Sequence, residues 1–118
     1  MKWYICRIVF QIICGDGNHT AQFDEQLRLV QADDEYIAFD KASNLGRDEE
    51  DRFYNNKDQL VQWKFINVSD LYLLSLIDNA ELFSKIQEVE KAQDYISLVH
   101  AKANRLKARD SHKLLHLL

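Results

Sequence analysis

The sequence predicts an α+β domain, with an antiparallel sheet of about four strands (β-β-α-β-β), one helix packed on the sheet and a further C-terminal helix. Three observations predict this class. Residues 3–14 are apolar at every second position, which is the period of a strand with one buried face. Residues 33–46 carry helix-capping residues at both ends. Residues 89–106 place an apolar residue at every third or fourth position, as a helix does.

The first strand spans residues 3–14 and is followed by a turn. Its even-numbered positions are all apolar, whereas the odd-numbered ones include Arg7 and Gln11, so the even face is predicted to lie on the core. Residues 15–18, with the sequence Gly-Asp-Gly-Asn, are typical of a hairpin turn. The return strand spans residues 22–32. Its apolar side chains share one face, and they are Phe23, Leu27 and Leu29.

A helix is predicted for residues 33–45. Asp33 stands where its carboxylate can accept a hydrogen bond from the first turn, so it is the expected N-cap. Gly46 is expected to end the helix, because glycine adopts the left-handed conformation that often follows a last turn. The apolar stripe that would pack on the sheet consists of Ala38, Phe39, Ala42 and Leu45.

The following residues alternate between charged and strand-like segments. Residues 47–54 are strongly charged and fit a further helical turn, and residues 55–58 fit a loop. Residues 60–76 are predicted to form strand structure, with a bulge or break near residues 67–70 where the apolar parity changes. Residues 81–86 are predicted to form an edge strand.

A C-terminal helix is predicted for residues 88–109. Its apolar positions follow a two-in-seven pattern, which fits packing on the domain's own sheet or pairing with the same helix of a second copy. The apolar tail at residues 114–118 favours a partner surface. The C-terminal seam, as this stripe is called below, consists of Val89, Ala92, Ile96, Val99, Ala103 and Leu106.

Length and composition indicate an ordinary soluble protein. A chain of 118 residues suits one domain, divided here into a compact part at residues 1–88 and a C-terminal helix and tail at residues 89–118. No signal peptide or membrane-spanning run is visible, so a cytoplasmic location is expected. Residues 1–88 hold nine Lys and Arg against sixteen Asp and Glu, a formal charge of −7, whereas residues 89–118 carry +3.

An ordered set of segments resembles a family of small bacterial proteins catalogued as domain of unknown function 4288. The resemblance covers about residues 3–87. It implies a compact α+β domain of bacterial origin, and it brings with it no activity and no catalytic residues. The segments that carry it are Trp3-Tyr4, Phe23-Asp24-Glu25-Gln26-Leu27, residues 32–42, residues 61–66, Asp70-Leu71-Tyr72 and residues 81–86.

The sequence offers few candidates for site chemistry, and no catalytic residue, cofactor or metal ligand is predicted. Acidic residues with one histidine occur around the first turn, but their register does not match an EF-hand loop. His112 and His116 would share a helix face, where two histidines can in principle bind a metal, but they are not predicted to be metal ligands. Cys6 and Cys14, about 26 Å apart along one strand, are expected to be structural thiols. The residues around the first turn are Asp16, His19, Asp24 and Glu25.

Three functions remain open on the sequence. The first is a non-catalytic, self-associating interaction domain that uses the C-terminal seam. The second is a partner-neutralising protein, like an immunity protein or antitoxin, that would dock a basic protein on an acidic patch. The third is a small enzyme or ligand-binding domain with a pocket between sheet and helix. Nucleic-acid binding is not expected, because the basic residues at 102–113 lack interleaved aromatic residues. The acidic patch consists of Asp48, Glu49, Glu50 and Asp51.

Overall fold

The computed structural model describes residues 1–109 as four strands and two helices, which confirms the α+β class. The chain divides into two units, Met1–Ser84 and the residues from Lys85 onwards. The first unit holds the four strands and one helix, and the second unit holds the other helix. In chain order the elements are β1 (Lys2–Cys14), β2 (Gln22–Ala32), α1 (Glu35–Asp48), β3 (Asp51–Tyr54), β4 (Leu60–Leu73) and α2 (Ala92–Lys107).

The strands form one antiparallel sheet in the order β2-β1-β4-β3. β1 lies inside the sheet, with Cys6 opposite Arg28 of β2 and Leu71 of β4. The even-numbered face of β1 is buried from Tyr4 to Phe10, as predicted, and it packs with residues of α1. The buried core of this unit consists of Tyr4, Cys6, Ile8, Phe10, Val30, Ala32, Ala38, Ala42 and Val68.

The ladder between β1 and β4 is irregular at two places. Opposite Arg7–Ile8 the register shifts and leaves Ser69 as an extra residue of β4, and opposite Val9–Phe10 it leaves Ile66 as an extra residue. The bulge predicted near residues 67–70 is therefore confirmed. β4 nevertheless continues through both irregularities as one strand.

The N-cap of α1 lies one residue later than predicted, and the helix also ends later than predicted. Its N-cap is Asp34, whose Oδ1 accepts a hydrogen bond from the Ile37 backbone N–H at 2.9 Å, so the assignment of Asp33 was wrong. The prediction that Gly46 ends the helix was also wrong, because α1 continues to Asp48. Gly46 is buried within the helix, and a Cβ atom there would overlap the ring of Phe65.

Two further element assignments were wrong. The charged residues 47–54 are not a separate helical turn, because they finish α1 and then form β3, which pairs with Leu60–Trp63 of β4. Residues 81–86 form no strand. β3 takes the second edge of the sheet by pairing with Leu60–Trp63 of β4. Phe83 instead packs its ring on Tyr72 of β4 at a centroid distance of 5.3 Å.

The second unit is described as far as residue 109 and contains α2. The helix starts at Ala92, four residues after the predicted start. Lys91 stands at its N-cap and makes no side-chain capping bond, since an ammonium group has no acceptor. None of the helices that the structure describes combines the length and the apolar character of a membrane span.

Candidate functional site

The face of the sheet that packs with α1 is filled with apolar side chains. Among the described residues the only buried polar residue is Ser43, and no buried side-chain polar atom there lacks a hydrogen-bond partner. Within residues 1–109 the depressions between sheet and helix are open grooves at the surface, one of which is described below. Burial raises the pKa of the Cys6 thiol, which keeps it protonated and unreactive.

The opposite face of the sheet, called the open face below, carries the odd-numbered residues of β1 and β2. The register pairs Gln11 with Phe23 and Arg7 with Leu27, so the apolar face of β2 lies on this side and not on the core. Phe23, Leu27 and Leu29 share one face, as predicted, and they remain 54%, 61% and 59% exposed. Glu25 lies on the same face between Phe23 and Leu27. Three large apolar side chains exposed on one strand face make the open face a candidate interaction surface.

The helix side of β2 is polar, and its side chains form a continuous hydrogen-bonded row. Asp24 Oδ2 accepts hydrogen bonds from the Gln26 amide at 2.7 Å and from the Trp63 indole at 3.1 Å. Arg28 donates to Gln26 at 3.1 Å and to both carboxylate oxygens of Glu49 at 2.5 and 2.9 Å. These Arg28 bonds lower the pKa of the Glu49 carboxyl. These side chains form a hydrogen-bonded network on the protein surface. Asp24 lies at one end of it, and Arg28 with Glu49 lies at the other.

The residues around the first turn are not assembled into a metal or acid–base site. Asp16 and His19 line an open depression of about 820 Å³ at the turn, whereas Asp24 and Glu25 do not. His19 is occupied on both ring nitrogens, because Nε2 accepts the Cys14 backbone N–H at 3.0 Å and Nδ1 lies 2.8 Å from the Thr20 carbonyl. Asp16 accepts the Asn18 N–H within the turn. Within residues 1–109 no three metal-ligating side chains lie together.

The acidic patch at residues 48–51 is divided among internal partners. Glu49 is paired with Arg28, and a carboxylate oxygen of Glu50 accepts the Phe65 backbone N–H at 3.0 Å. The last carboxylate of the patch accepts the N–H of the next residue. Two of the four side chains therefore hold β2 and β4 in place, which leaves less free charge than the sequence suggests.

A polar cluster that the sequence analysis missed lies on the open face. Arg7 Nε donates to Asp70 Oδ2 at 2.7 Å, and the hydroxyls of Ser69 and Tyr72 donate to the same carboxylate. The hydrogen bond from Arg7 is the main reason that the pKa of the Asp70 carboxyl is lowered. Residues 7 and 70 are far apart in the chain, so only strand pairing brings them together.

The C-terminal seam is shorter on the helix than predicted. Val89 precedes α2, whereas the other five seam residues lie within it. No residue of α2 is buried, and the side chains of Ile96, Val99 and Leu106 are exposed. His112, His116 and the tail at residues 114–118 lie outside the described residues.

A groove of about 670 Å³, called the edge groove below, runs between the end of β2 and α1. Leu29 and Val30 line its strand side, and Ile37 and Leu45 of α1 give it apolar contacts. Its charged lining consists of Arg28, Asp40, Lys41 and Asp48.

Comparison with known proteins gives one match. A family model described as "Domain of unknown function (DUF4288)" matches residues 3–84, which is nearly the whole first unit. No curated protein and no solved structure matches the chain. The open face, the polar row of β2 and the edge groove all lie within the matched residues.

Proposed function

This chain belongs to the family described as domain of unknown function (DUF4288), and we propose that it is a non-catalytic interaction domain that binds a second copy of itself. The observation that carries the proposal is the exposed apolar row of β2 on the open face. Burying such a row gains roughly 25 cal/mol for each Å² removed from water, so association is favourable wherever two rows meet. We place the protein in the bacterial cytoplasm, where its two free thiols would remain reduced.

The polar groups of the first unit support a binding role over a catalytic one. His19, Asp24, Glu49 and Asp70 are each engaged in hydrogen bonds that stabilise strands or turns. A catalytic site needs a nucleophile, a base and a cavity that converge on one point. The cavities among the described residues are open depressions on the surface. The salt-bridged side chains also lie outside any enclosed cavity.

The C-terminal seam is the second candidate surface for self-association. Ile96 and Val99 lie one turn apart on α2 and are exposed. Two such helices could pair along the seam, with the five apolar residues of α2 facing each other. This contact would lie outside the residues that match the family model.

The acidic partner-neutralising function has weaker support. The charge of −7 on residues 1–88 favours a basic partner, but Glu49 and Glu50 are already engaged within the domain. Asp48 is the patch residue that also borders the edge groove. Reversing its charge with Asp48→Lys should abolish binding to a basic protein if this function is right and leave self-association unchanged if it is wrong.

Light scattering of the full chain over a hundredfold range of concentration tests the proposal. A dimer that dissociates on dilution is expected. Leu27→Glu should abolish it if the β2 row is the contact, and Ile96→Glu should abolish it if the C-terminal seam is the contact. Tyr36→Glu is the matched control, because it charges an exposed aromatic residue of α1 that belongs to neither surface. A wild-type chain that stays monomeric at every concentration contradicts the proposal.

A further inference from the structure

We infer that two copies join through antiparallel pairing of β2 with β2 of the second copy, around a two-fold axis at Gln26. The two four-stranded sheets would then form one continuous sheet. This inference rests on the self-association proposed above and specifies the surface and register of the contact.

β2 forms a free edge of the sheet. β2 is 11 residues long and pairs without a shift along β1, from Lys2↔Ala32 to Ile12↔Gln22. Edge strands are usually protected by brevity, proline, lysine or a bulge. β2 contains no proline, no lysine and no bulge, and its charged side chains are Asp24, Glu25 and Arg28. The other edge strand, β3, has only four residues. Pairing with a second β2 satisfies the outward backbone groups of both strands.

Symmetry limits the register. In an antiparallel pair around a two-fold axis normal to the sheet, directly opposite side chains lie on the same face, so one residue must face its own copy. With Gln26 at the axis, Asp24 lies opposite Arg28 of the second copy, and Phe23 lies opposite Leu29 of the second copy. Opposite charges therefore meet on the helix side. On the open face Phe23 and Leu29 meet, whereas Leu27 lies opposite Glu25 of the second copy.

The neighbouring registers are less favourable. Centring the axis on Glu25 or on Arg28 places like charges opposite each other. Centring it on Leu27 places Asp24 opposite Val30, so no opposite charges face each other. Among these registers, the one at Gln26 is the one that places opposite charges opposite each other, and it also pairs Phe23 with Leu29.

The polar row of β2 can accept this partner without losing its present bonds. A guanidinium has five N–H donors, and Arg28 uses three of them on Gln26 and Glu49. Two donors remain for Asp24 of the second copy. The edge groove beside Arg28, Leu29 and Val30 leaves space for the residues at the start of the second β2.

Disulfide trapping with Gln26→Cys in a Cys14→Ser background tests the register directly. At the axis the two introduced thiols lie on Cα atoms about 4.5–5.5 Å apart, which is within disulfide reach. Mild oxidation should give a covalent dimer on non-reducing electrophoresis. Gln22→Cys is the matched control, because its two thiols would be about 26 Å apart and should not join.

Charge exchange gives an independent test in the full chain. Asp24→Arg and Arg28→Asp should each weaken dimerisation by about tenfold, because each places like charges opposite across the axis. The double variant, with Asp24→Arg and Arg28→Asp together, should restore the dimerisation affinity. The reference is Glu49→Gln, which removes only the internal partner of Arg28, and the two affinities should agree to within about threefold. Circular dichroism would show that each variant is folded.

The outcomes separate this inference from the proposed function. A dimer that resists trapping at position 26, or a double exchange that does not recover affinity, overturns the β2 contact while self-association stands. A wild-type chain that is monomeric throughout overturns both. Trapping at position 26 together with recovery by the double exchange supports the inference.

Discussion

Gly46 has a structural role different from the one that its position in the sequence suggests. It stands near the end of α1, where glycine commonly terminates a helix. In the structure it is a helical residue, and its missing side chain lets the helix lie against the ring of Phe65. That ring packs edge-on against Phe10 at 6.1 Å in the core, so it has little freedom to move away.

We predict that Gly46→Ala lowers the free energy of unfolding by up to about 2 kcal/mol. The overlap with Phe65 costs about 1–3 kcal/mol, while alanine recovers about 1 kcal/mol of helix propensity. Urea denaturation measures the difference. In a Phe65→Ala background the added methyl group has space, and the same substitution should be neutral or stabilising. A destabilisation of equal size in both backgrounds would contradict this contact.

The cluster of Arg7, Asp70 and Tyr72 predicts a pH dependence. The hydrogen bond from Arg7 lowers the pKa of Asp70 in the folded state, so the unfolded state binds the proton more tightly. The stabilisation is complete above the ordinary aspartate pKa and is lost as the pH falls through the lowered folded value. Asp70→Asn should therefore cost about 1 kcal/mol at neutral pH and much less near pH 3.

Denaturant unfolding at the two pH values measures this loss. Asp40→Asn, which changes an exposed carboxylate on α1, is the control and should show a smaller pH-dependent difference. An Asp70→Asn penalty that is the same at both pH values would show that the interaction with Arg7 does not depend on the carboxylate charge.

At the scale of elements, the largest difference between sequence and structure concerns which segment forms the second edge strand of the sheet. The sequence favours residues 81–86, whose apolar residues suit an edge strand. The structure pairs β3 there instead, after a loop that Asn55 holds by accepting backbone N–H groups from Lys57 and Gln59. The stack of Phe53 on Trp63 adds side-chain contact between β3 and β4.

Amide hydrogen exchange should reveal this pairing. We expect the paired segments of β3 and β4 at residues 51–54 and 60–63 to exchange at least about tenfold more slowly than residues 81–86, since strand amides are hydrogen-bonded. Exchange followed by peptide mass spectrometry measures both segments in one sample. Equal protection of residues 81–86 and of β4 would show that the fourth strand is the one favoured by the sequence.

At the scale of the whole molecule, the first unit has one face of its sheet packed against α1 and one apolar row exposed. Such a domain gains stability from a partner that binds only the folded form. We therefore predict that the melting temperature rises by a few degrees over a hundredfold increase in protein concentration. Differential scanning calorimetry measures the rise. Leu27→Glu should remove it, whereas Tyr36→Glu should retain it.

The sequence alone determined the α+β class, the buried even face of β1, the existence of α1 and α2, and the irregularity near residues 67–70. These features depend on local periodicity and capping, which a linear chain displays. The family resemblance also came from the ordered segments, and the model match over residues 3–84 confirmed it.

Only the tertiary structure decided the β1–β2 register, the partner of β4 and the role of Gly46. The loop between Cys14 and Gln22 is long enough to allow more than one register, and a one-residue change moves Phe23, Leu27 and Leu29 from one face to the other. In the register that forms, these apolar side chains lie on the open face, because the even-numbered residues of β1 lie opposite the polar side of β2.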